Sequence, residues 1–459
     1  MPEAMMLRRR DIDTPEKREK YTVCILGCGQ TGLKQACLFA KAGFKVVYAD
    51  TDHRIFNQTE KSGISSAGRK LNTLLNNQIK HDRLKVENDI RKAASASDIV
   101  ILSVPTAISK RKSPGYSYIM KACKEAGLSL RSGSLFIFTS RIGPGVTERL
   151  VKESLEKASG LEAGKDFGLA YSPLSARILQ GGSKNRRVVG AINEQSLKTA
   201  CVVLSAVTEG EIVEMRDIKT AETVKLLEKV YETVNIALAN ELAGFCEEAG
   251  IDFMEARKAA SGNPHSHLSF PQLVGCSAMA EPHLLNDEAE ALNKRLSMLA
   301  LAGRVNEGMI GHTVRLVKDA LRACGKNLRR AKISVFGASS RQNTRETEGS
   351  LAKNLVDALK RRGGRVGVYD SLFSYKELVE MGYQAERTLA KAVEKSDCLV
   401  IAVGHKRFRR LNLRRIQFLM KKPAAIVDMG RVINPDKAEK EGFVYRGVGR
   451  GVSASKSLD

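Results

Sequence analysis

Tryptophan is absent from this 459-residue chain, and aromatic residues make up only 5% of it. With so few stacking side chains, the reading of nucleic-acid bases has little to work with. Long apolar runs are missing as well. Stretches such as Ile99 to Val104 hold a handful of residues, far below the ~20 that span a bilayer, so no transmembrane helix is expected. The start of the chain carries Arg8, Arg9 and Arg10 but no apolar segment. That excludes a secretory signal and predicts a cytoplasmic protein with a loose basic arm over residues 1–20. Acidic residues are in deficit: 51 Asp plus Glu against 75 Lys plus Arg leave a formal net charge of +24. An acidic, self-solvating disordered chain is thereby excluded, and anionic partners are expected, whether nucleotides, anionic membrane or nucleic acid. Nine cysteines are scattered without a C-x-x-C pair or a His-Cys cluster at metal spacing. Reduced thiols are expected, and neither disulfides nor structural zinc.

What is present has an α/β rhythm. Val23 to Leu26, Lys45 to Ala49, Asp98 to Val104, Ser134 to Ser140 and Phe167 to Tyr171 are apolar runs with little alternation, as buried parallel strands require. Amphipathic segments such as Gly32 to Ala42 and Thr147 to Ser159 separate them, which predicts a doubly wound sheet. From about Asp217 to Gly250 the pattern is helical without interruption, with Leu226, Leu227, Val230, Val234 and Leu238 as its apolar positions. A helix of that length bridges lobes, forms a dimer interface or lies in a core. Further helices are expected near Phe253 to Ser261 and Glu288 to Cys324. Strand signals return at Lys332 to Phe336, Arg365 to Tyr369, Cys398 to Val403 and Ala425 to Asp428. The fold class is thus α/β: two doubly wound Rossmann-like domains, 21–206 and 327–459, joined by a long central helix within a helical middle domain, 207–326. The Gly- and Ser-rich end from Gly447 is expected to fray.

The sharpest motif comes directly after the first strand. Tyr21 to Leu26 runs into Gly27-Cys28-Gly29-Gln30-Thr31-Gly32 and then a helix, which is G-x-G-x-x-G in its strand-turn-helix context. Gly27 permits the tight turn, Gly29 lets the backbone approach a pyrophosphate, and Gly32 packs helix on strand. The phosphate would meet free N–H groups at the helix start. Asp50 ends the second strand, 18 residues after Gly32. A carboxylate there binds both ribose hydroxyls and repels a 2′-phosphate, so NAD is favoured over NADP; nearby Arg54 keeps NADP as the alternative.

These segments, in this order, resemble the NAD-dependent nucleotide-sugar 6-dehydrogenases, the family of UDP-glucose, GDP-mannose and UDP-N-acetylmannosamine dehydrogenases. The resemblance runs from Tyr21 to about Gly449. Leu102-Ser-Val-Pro-Thr106 is similar to the family's S-V-P-T-P turn at the nicotinamide side, and Thr139-Ser-Arg-Ile-Gly-Pro-Gly-Val-Thr147 to its E-S-T-V-P-P-G-T-T segment. Ala221-Glu-Thr-Val-Lys225 through Val234-Asn-Ile-Ala-Leu-Ala-Asn-Glu241 resembles the central helix, in the wording of the N-acetylmannosamine branch. The resemblance implies NAD in the N-terminal domain, a UDP-sugar in the C-terminal domain, a homodimer through the middle helix, and a place in polysaccharide biosynthesis. It implies oxidation of a sugar C6 alcohol to the uronic acid, with two NAD consumed and a cysteine capturing the intermediate aldehyde. Carried over position by position, Val104, Thr106 and Ser140 join Gly27, Gly29, Gly32 and Asp50 at the cofactor. Lys225 stabilises charge on the sugar oxygen.

The sequence departs from the family where the nucleophile belongs. The motif G-G-x-C-x-P-x-D-P becomes Gly275-Cys-Ser-Ala-Met-Ala-Glu-Pro282. Anchoring on Glu281-Pro282 puts Ser277 in the cysteine's place and Cys276 one residue early, with Glu281 for the aspartate. Either Cys276 or Ser277 is then the nucleophile, and a serine there acylates poorly without a dedicated base. Arg141 replaces a threonine, Lys229 an asparagine, and Tyr171-Ser-Pro-Leu-Ser-Ala-Arg177 lacks the family's glutamate. The partner-donated arginine falls near His265. In the C-terminal domain, Arg341 stands for a phosphate-binding lysine, Arg345-Glu-Thr347 for a cofactor-side R-E-S, and Arg431 in Asp428-Met-Gly-Arg431 for a UDP contact. His405 and Phe408 echo a family turn. The losses keep a second reading open, a non-catalytic relative that binds NAD or UDP-sugar as a regulatory or assembly subunit. Basic runs, chiefly Lys406, Arg407, Arg409, Arg410, Arg414 and Arg415, form either a solvated face or a weak docking patch for anionic membrane. Without interleaved aromatics a nucleic-acid partner is disfavoured.

Overall fold

A computed structural model describes residues 4–27, 29–50, 69–108, 114–174, 186–263, 265–273, 276–345, 347 and 349–450. Cys28, Arg54, the segment 175–185 that includes Ala176 and Arg177, and the tail beyond 450 lie outside the described residues. Contacts divide the chain into two compact units, Met1–Glu228 with His283–Lys294, and Lys229–Pro282 with Arg295–Asp459.

The first unit is built on an eight-stranded sheet. Its strands are β1 (Thr22–Leu26), β2 (Lys45–Ala49), β3 (Leu84–Glu87), β4 (Ile99–Leu102), β5 (Leu135–Phe138), β6 (Gly168–Tyr171), β7 (Arg186–Ala191) and β8 (Glu211–Glu214). They lie in the order β8-β7-β6-β5-β4-β1-β2-β3, parallel except for the β6–β7 pair. Central strands β4, β5 and β6 are buried at every residue, so helices cover both faces and the sequence there is apolar without alternation. Val23 pairs with both Val46 and Ile99, placing β1 at the sheet's middle and the glycine turn at its carboxyl end, where doubly wound sheets bind ligands. The helix Gly29–Ala42 starts there, and its Phe39 packs edge to face on Phe44, just past the helix end, 5.6 Å between ring centres. Burying each such side chain contributes about 1.5–3 kcal/mol.

The second unit carries a five-stranded, all-parallel sheet: β9 (Lys332–Phe336), β10 (Arg365–Tyr369), β11 (Cys398–Ile401), β12 (Ala424–Asp428) and β13 (Phe443–Gly447), ordered β10-β9-β11-β12-β13. The central helix, Ile218–Glu248, begins in the first unit and continues in the second. It joins the helix Ser297–Ala323 through a buried polar link. Asn240 Nδ2 donates to Asn306 Oδ1 at 2.8 Å, and Asn306 Nδ2 to the Thr233 carbonyl at 3.1 Å.

Two expectations are corrected. The run from Glu288 to Cys324 is two helices, Cys276–Ala291 and Ser297–Ala323, parted at Asn293, whose φ of +54° ends a helix. Cys276 to Glu281, read as a loop around the nucleophile, opens the first of these helices.

Candidate functional site

In the first unit the glycine turn is tight enough to test each glycine. Gly27 has φ +80°, and a Cβ there would meet the Ser103 carbonyl at 2.7 Å. Gly29 has φ +50°. A Cβ on Gly32 would lie 2.0 Å from the Gly27 carbonyl oxygen, so no side chain fits where the helix meets the strand. Asp50 is buried and organises the turn. Its Oδ2 accepts from Gly29 N and from the Tyr48 hydroxyl, both at 2.9 Å. The turn, the helix start at Gly29 and the acid at the end of β2 therefore form one cradle that fits a dinucleotide.

The segments after β4 and β5 meet beside it. Val104 N donates to Ser140 Oγ at 2.9 Å, and the Thr106 hydroxyl to the Arg141 carbonyl. The Tyr171 hydroxyl donates to the Ser140 carbonyl at 3.2 Å. The structure thus brings together Val104, Thr106 and Ser140. It also shows what holds the next turn: Glu222, fully buried, accepts from Gly145 N and, at 2.8 Å, from Thr147 N. Thr147 opens a π-helical turn, Thr147–Lys152, whose first N–H groups need an acceptor. Burial pushes the Glu222 carboxyl up to about 7 even though these hydrogen bonds favour its ionised form. Lys225, three residues further along the same helix, pairs with Glu228 at 2.6 Å and is partly exposed. Glu222 was missed in the sequence because a carboxylate on an amphipathic helix reads as solvated. Its signal was its place three residues before Lys225, on the same helix face.

In the second unit, Gly337 comes after β9 with φ +100°, its N donating to the Tyr369 carbonyl at 3.0 Å. Asp370 ends β10, and its Oδ2 accepts from Ala338 N at 2.6 Å. Here a histidine is added. His405 Nδ1 accepts from Asn343 N at 2.9 Å, which leaves the proton on Nε2 to donate to Asp370 Oδ2 at 3.1 Å. Burial raises the Asp370 carboxyl, but the His405 and backbone hydrogen bonds outweigh it, and the group sits below its ordinary range. Arg341 lies exposed in the same turn. Arg345 is engaged within this unit, donating to Glu377 and lying 5.1 Å from the Phe373 ring centre.

Arg431 has φ +55° and donates to the Pro271 carbonyl. Its guanidinium lies 4.5 Å from the Phe270 ring centre, and that of Arg257 lies 3.6 Å away, a cation–π pairing the sequence did not signal. Burial pushes Arg431 down to about 10, opposed by Asp428 and aided by Arg257 and Arg409. The segment leading to Cys276 is thereby tied to Arg431. Cys276, Ser277 and Glu281 occupy helix positions whose side chains lie outside the described residues. His265 is exposed, its N donating to Asn263 Oδ1 at 2.9 Å. Lys229, at the family's asparagine position, pairs with Glu232 at 2.7 Å and is largely buried.

Known proteins share this arrangement along nearly the whole chain. Residues 21–207 match the NAD binding domain of the UDP-glucose/GDP-mannose dehydrogenase family, 219–308 its central domain and 334–435 its UDP binding domain. A UDP-N-acetyl-D-mannosamine dehydrogenase of Methanococcus maripaludis is 29% identical, covering 95% of this chain and 99% of its own. The solved UDP-D-ManNAc dehydrogenase of Pyrococcus horikoshii superposes with a TM-score of 0.84 at 28% identity, covering 94% of this chain and 99% of that one. An NDP-N-acetyl-D-galactosaminuronic acid dehydrogenase of Methanosarcina mazei gives 0.78 at 26% identity, with coverage of 95% and 98%.

Proposed function

The chain belongs to the UDP-glucose/GDP-mannose dehydrogenase family, and on that premise we propose that it oxidises the C6 alcohol of a UDP-sugar to the uronic acid with NAD. The sugar of the similar proteins makes a UDP-N-acetylmannosamine-like substrate the first choice. The observation that carries the reading is the first glycine turn, closed to any side chain at Gly32, in a chain whose three segments each match the corresponding family domain. The named relatives are dehydrogenases, which disfavours the non-catalytic reading.

When bound, NAD supplies the hydride acceptor. Gly27, Gly29 and Gly32 hold the pyrophosphate, Asp50 the adenosine ribose, and Val104, Thr106 and Ser140 the nicotinamide side, with Arg345 the remaining cofactor contact. Lys225 stabilises negative charge as it develops on the sugar oxygen. Glu222 fixes the backbone around Gly145 and Thr147 from the same helix. Arg341 and Arg431 take the diphosphate, and His265 the sugar side. Cys276 is the preferred nucleophile. The seven described cysteines other than it are buried, and burial drives Cys37 up to about 11 and Cys201 up to about 12. Cys276 instead opens a helix, a position that favours thiolate. Ser277 is the alternative, and Glu281 stands for the family's aspartate.

NADH production against a panel of UDP-sugars, run beside Cys276→Ala and Ser277→Ala, tests this. Two NADH per sugar, abolished by Cys276→Ala alone, is the expected result. No NADH on any sugar, with NAD still bound, would favour the regulatory subunit.

A homodimer is supported by Tyr231, Leu238 and Phe245, exposed at seven-residue spacing on the central helix; sedimentation of Phe245→Asp as a monomer checks it. No described helix is long and apolar enough to cross a membrane, and a cytoplasmic enzyme fits an NAD-linked role. The net charge of +24 supports weak docking on anionic membrane. Retention on anionic lipid that is lost only above physiological salt is expected, and no retention at low salt would sink the docking role.

A further inference from the structure

Beyond Arg431, the segments after β11 and β12 line an open cavity of about 470 Å³ in the second unit. Arg409, Arg414, Lys437 and Lys440 line it, with Glu441 as its one carboxylate. None of these cations has an ion-pair partner among the described residues. Other surface lysines, such as Lys157 and Lys391, are paired within a helical turn, with Glu153 and Glu394. Four cations converging with a single carboxylate repel one another, and an anion in the cavity reduces that cost. The field already reaches inward, since Arg409 is among the groups that lower the neighbouring Arg431. Beneath the cations the wall is apolar: Leu411, Leu413 and the buried Val432 and Ile433. The volume falls within the roughly 300–1,000 Å³ of small-molecule sites. Neither Arg341 nor Arg431, the cations expected at the substrate diphosphate, lines the cavity.

We propose that this cavity is a second anion site, separate from the cofactor and substrate positions, which takes a phosphate ester whose apolar portion rests on Val432 and Ile433. The phosphate belongs to a soluble metabolite or to a lipid headgroup, and the two sources are separable. The assignment does not depend on catalysis.

Binding of inorganic pyrophosphate to the full chain is measured by calorimetry, and co-sedimentation with phosphatidylglycerol vesicles in parallel. Both are repeated for Arg414→Glu/Lys437→Glu, for the milder Arg414→Gln/Lys437→Gln, and for Gly32→Ala, which perturbs only the first glycine turn. Both cavity pairs are exposed and retain the backbone hydrogen bond from Lys437 N to Asn434 Oδ1, so they fold. The charge-reversed pair is expected to lose one pyrophosphate component, or weaken it on the order of tenfold or more, while Gly32→Ala keeps it. A loss confined to vesicles assigns the phosphate to a lipid headgroup. Equal binding of both probes by the wild type and the two cavity variants, or no binding by the wild type, overturns the proposal.

Discussion

Both units place a glycine after their first strand and an aspartate at the end of their second, yet the two aspartates live differently. In the first, Asp50 accepts from Gly29 N and Tyr48, and the helix begins at Gly29, within the turn itself. In the second, Asp370 is covered by His405, and the next helix begins only at Ala352, well past Gly337. A dinucleotide needs the helix start at the turn for its pyrophosphate and a reachable acid for its ribose. The second turn offers neither. The strand-glycine-acid sequence is therefore a framework, and the segment on the carboxyl side of the glycine decides whether the phosphate of a dinucleotide can sit there.

The largest break in this comparison should come from adding one methyl group to each turn. Gly32→Ala places a Cβ against the Gly27 carbonyl and should weaken NAD roughly 100-fold, about 2.7 kcal/mol. Gly337→Ala, crowded in turn against Val403, should lower the unfolding temperature and leave NAD titrations unchanged. If Gly337→Ala weakened NAD as much, the distinction between the turns would collapse.

Of similar size, the buried carboxylates of the two units should titrate with opposite sign. Glu222 is raised to about 7, so its folded form holds a proton that the unfolded chain has released. Its contribution is present below the unfolded value near 4.5 and is lost as pH rises through about 7, to the extent of about 3 kcal/mol. Asp370 is lowered, so its contribution is present above the unfolded value and is lost as pH falls through the folded one. Calorimetric scans across pH should show the alkaline loss flattened in Glu222→Gln and the acid loss flattened in Asp370→Asn.

His405→Ala should then cost about 2 kcal/mol by leaving Asp370 buried beside an empty position, read as a lower denaturation midpoint with unaltered NAD affinity. The smallest effect belongs to Tyr48→Phe. It removes one hydrogen bond to Asp50, about 1 kcal/mol, and should weaken NAD several-fold, because that hydroxyl holds the acid proposed to bind the ribose. No change in NAD affinity would separate Tyr48 from the ribose site.

Much of the framework was legible because buried parallel strands are written as plain apolar runs. Lys45–Ala49, Lys332–Phe336 and Arg365–Tyr369 fall where the sequence put them, and the turn at Gly27 carries its own geometry. Strands with charged ends, Arg186–Ala191 and Glu211–Glu214, escaped, since charge at a sheet edge resembles a loop. The His405–Asp370 contact spans 35 residues, and no local pattern encodes it. Arg257 and Arg431 converge on Phe270 from opposite ends of the second unit's sequence, which is equally invisible in one dimension.

The buried thiols carry a practical consequence. Seven of the nine cysteines are sealed in apolar cores, where they react with alkylating reagents only as fast as the chain opens. Brief iodoacetamide treatment of the native chain therefore leaves these seven intact, and slow labelling of any of them reports the opening of the core around it. Peptide mass mapping with and without NAD then becomes a map of local opening, with Cys24 and Cys37 reporting on the first unit and Cys324 and Cys398 on the second.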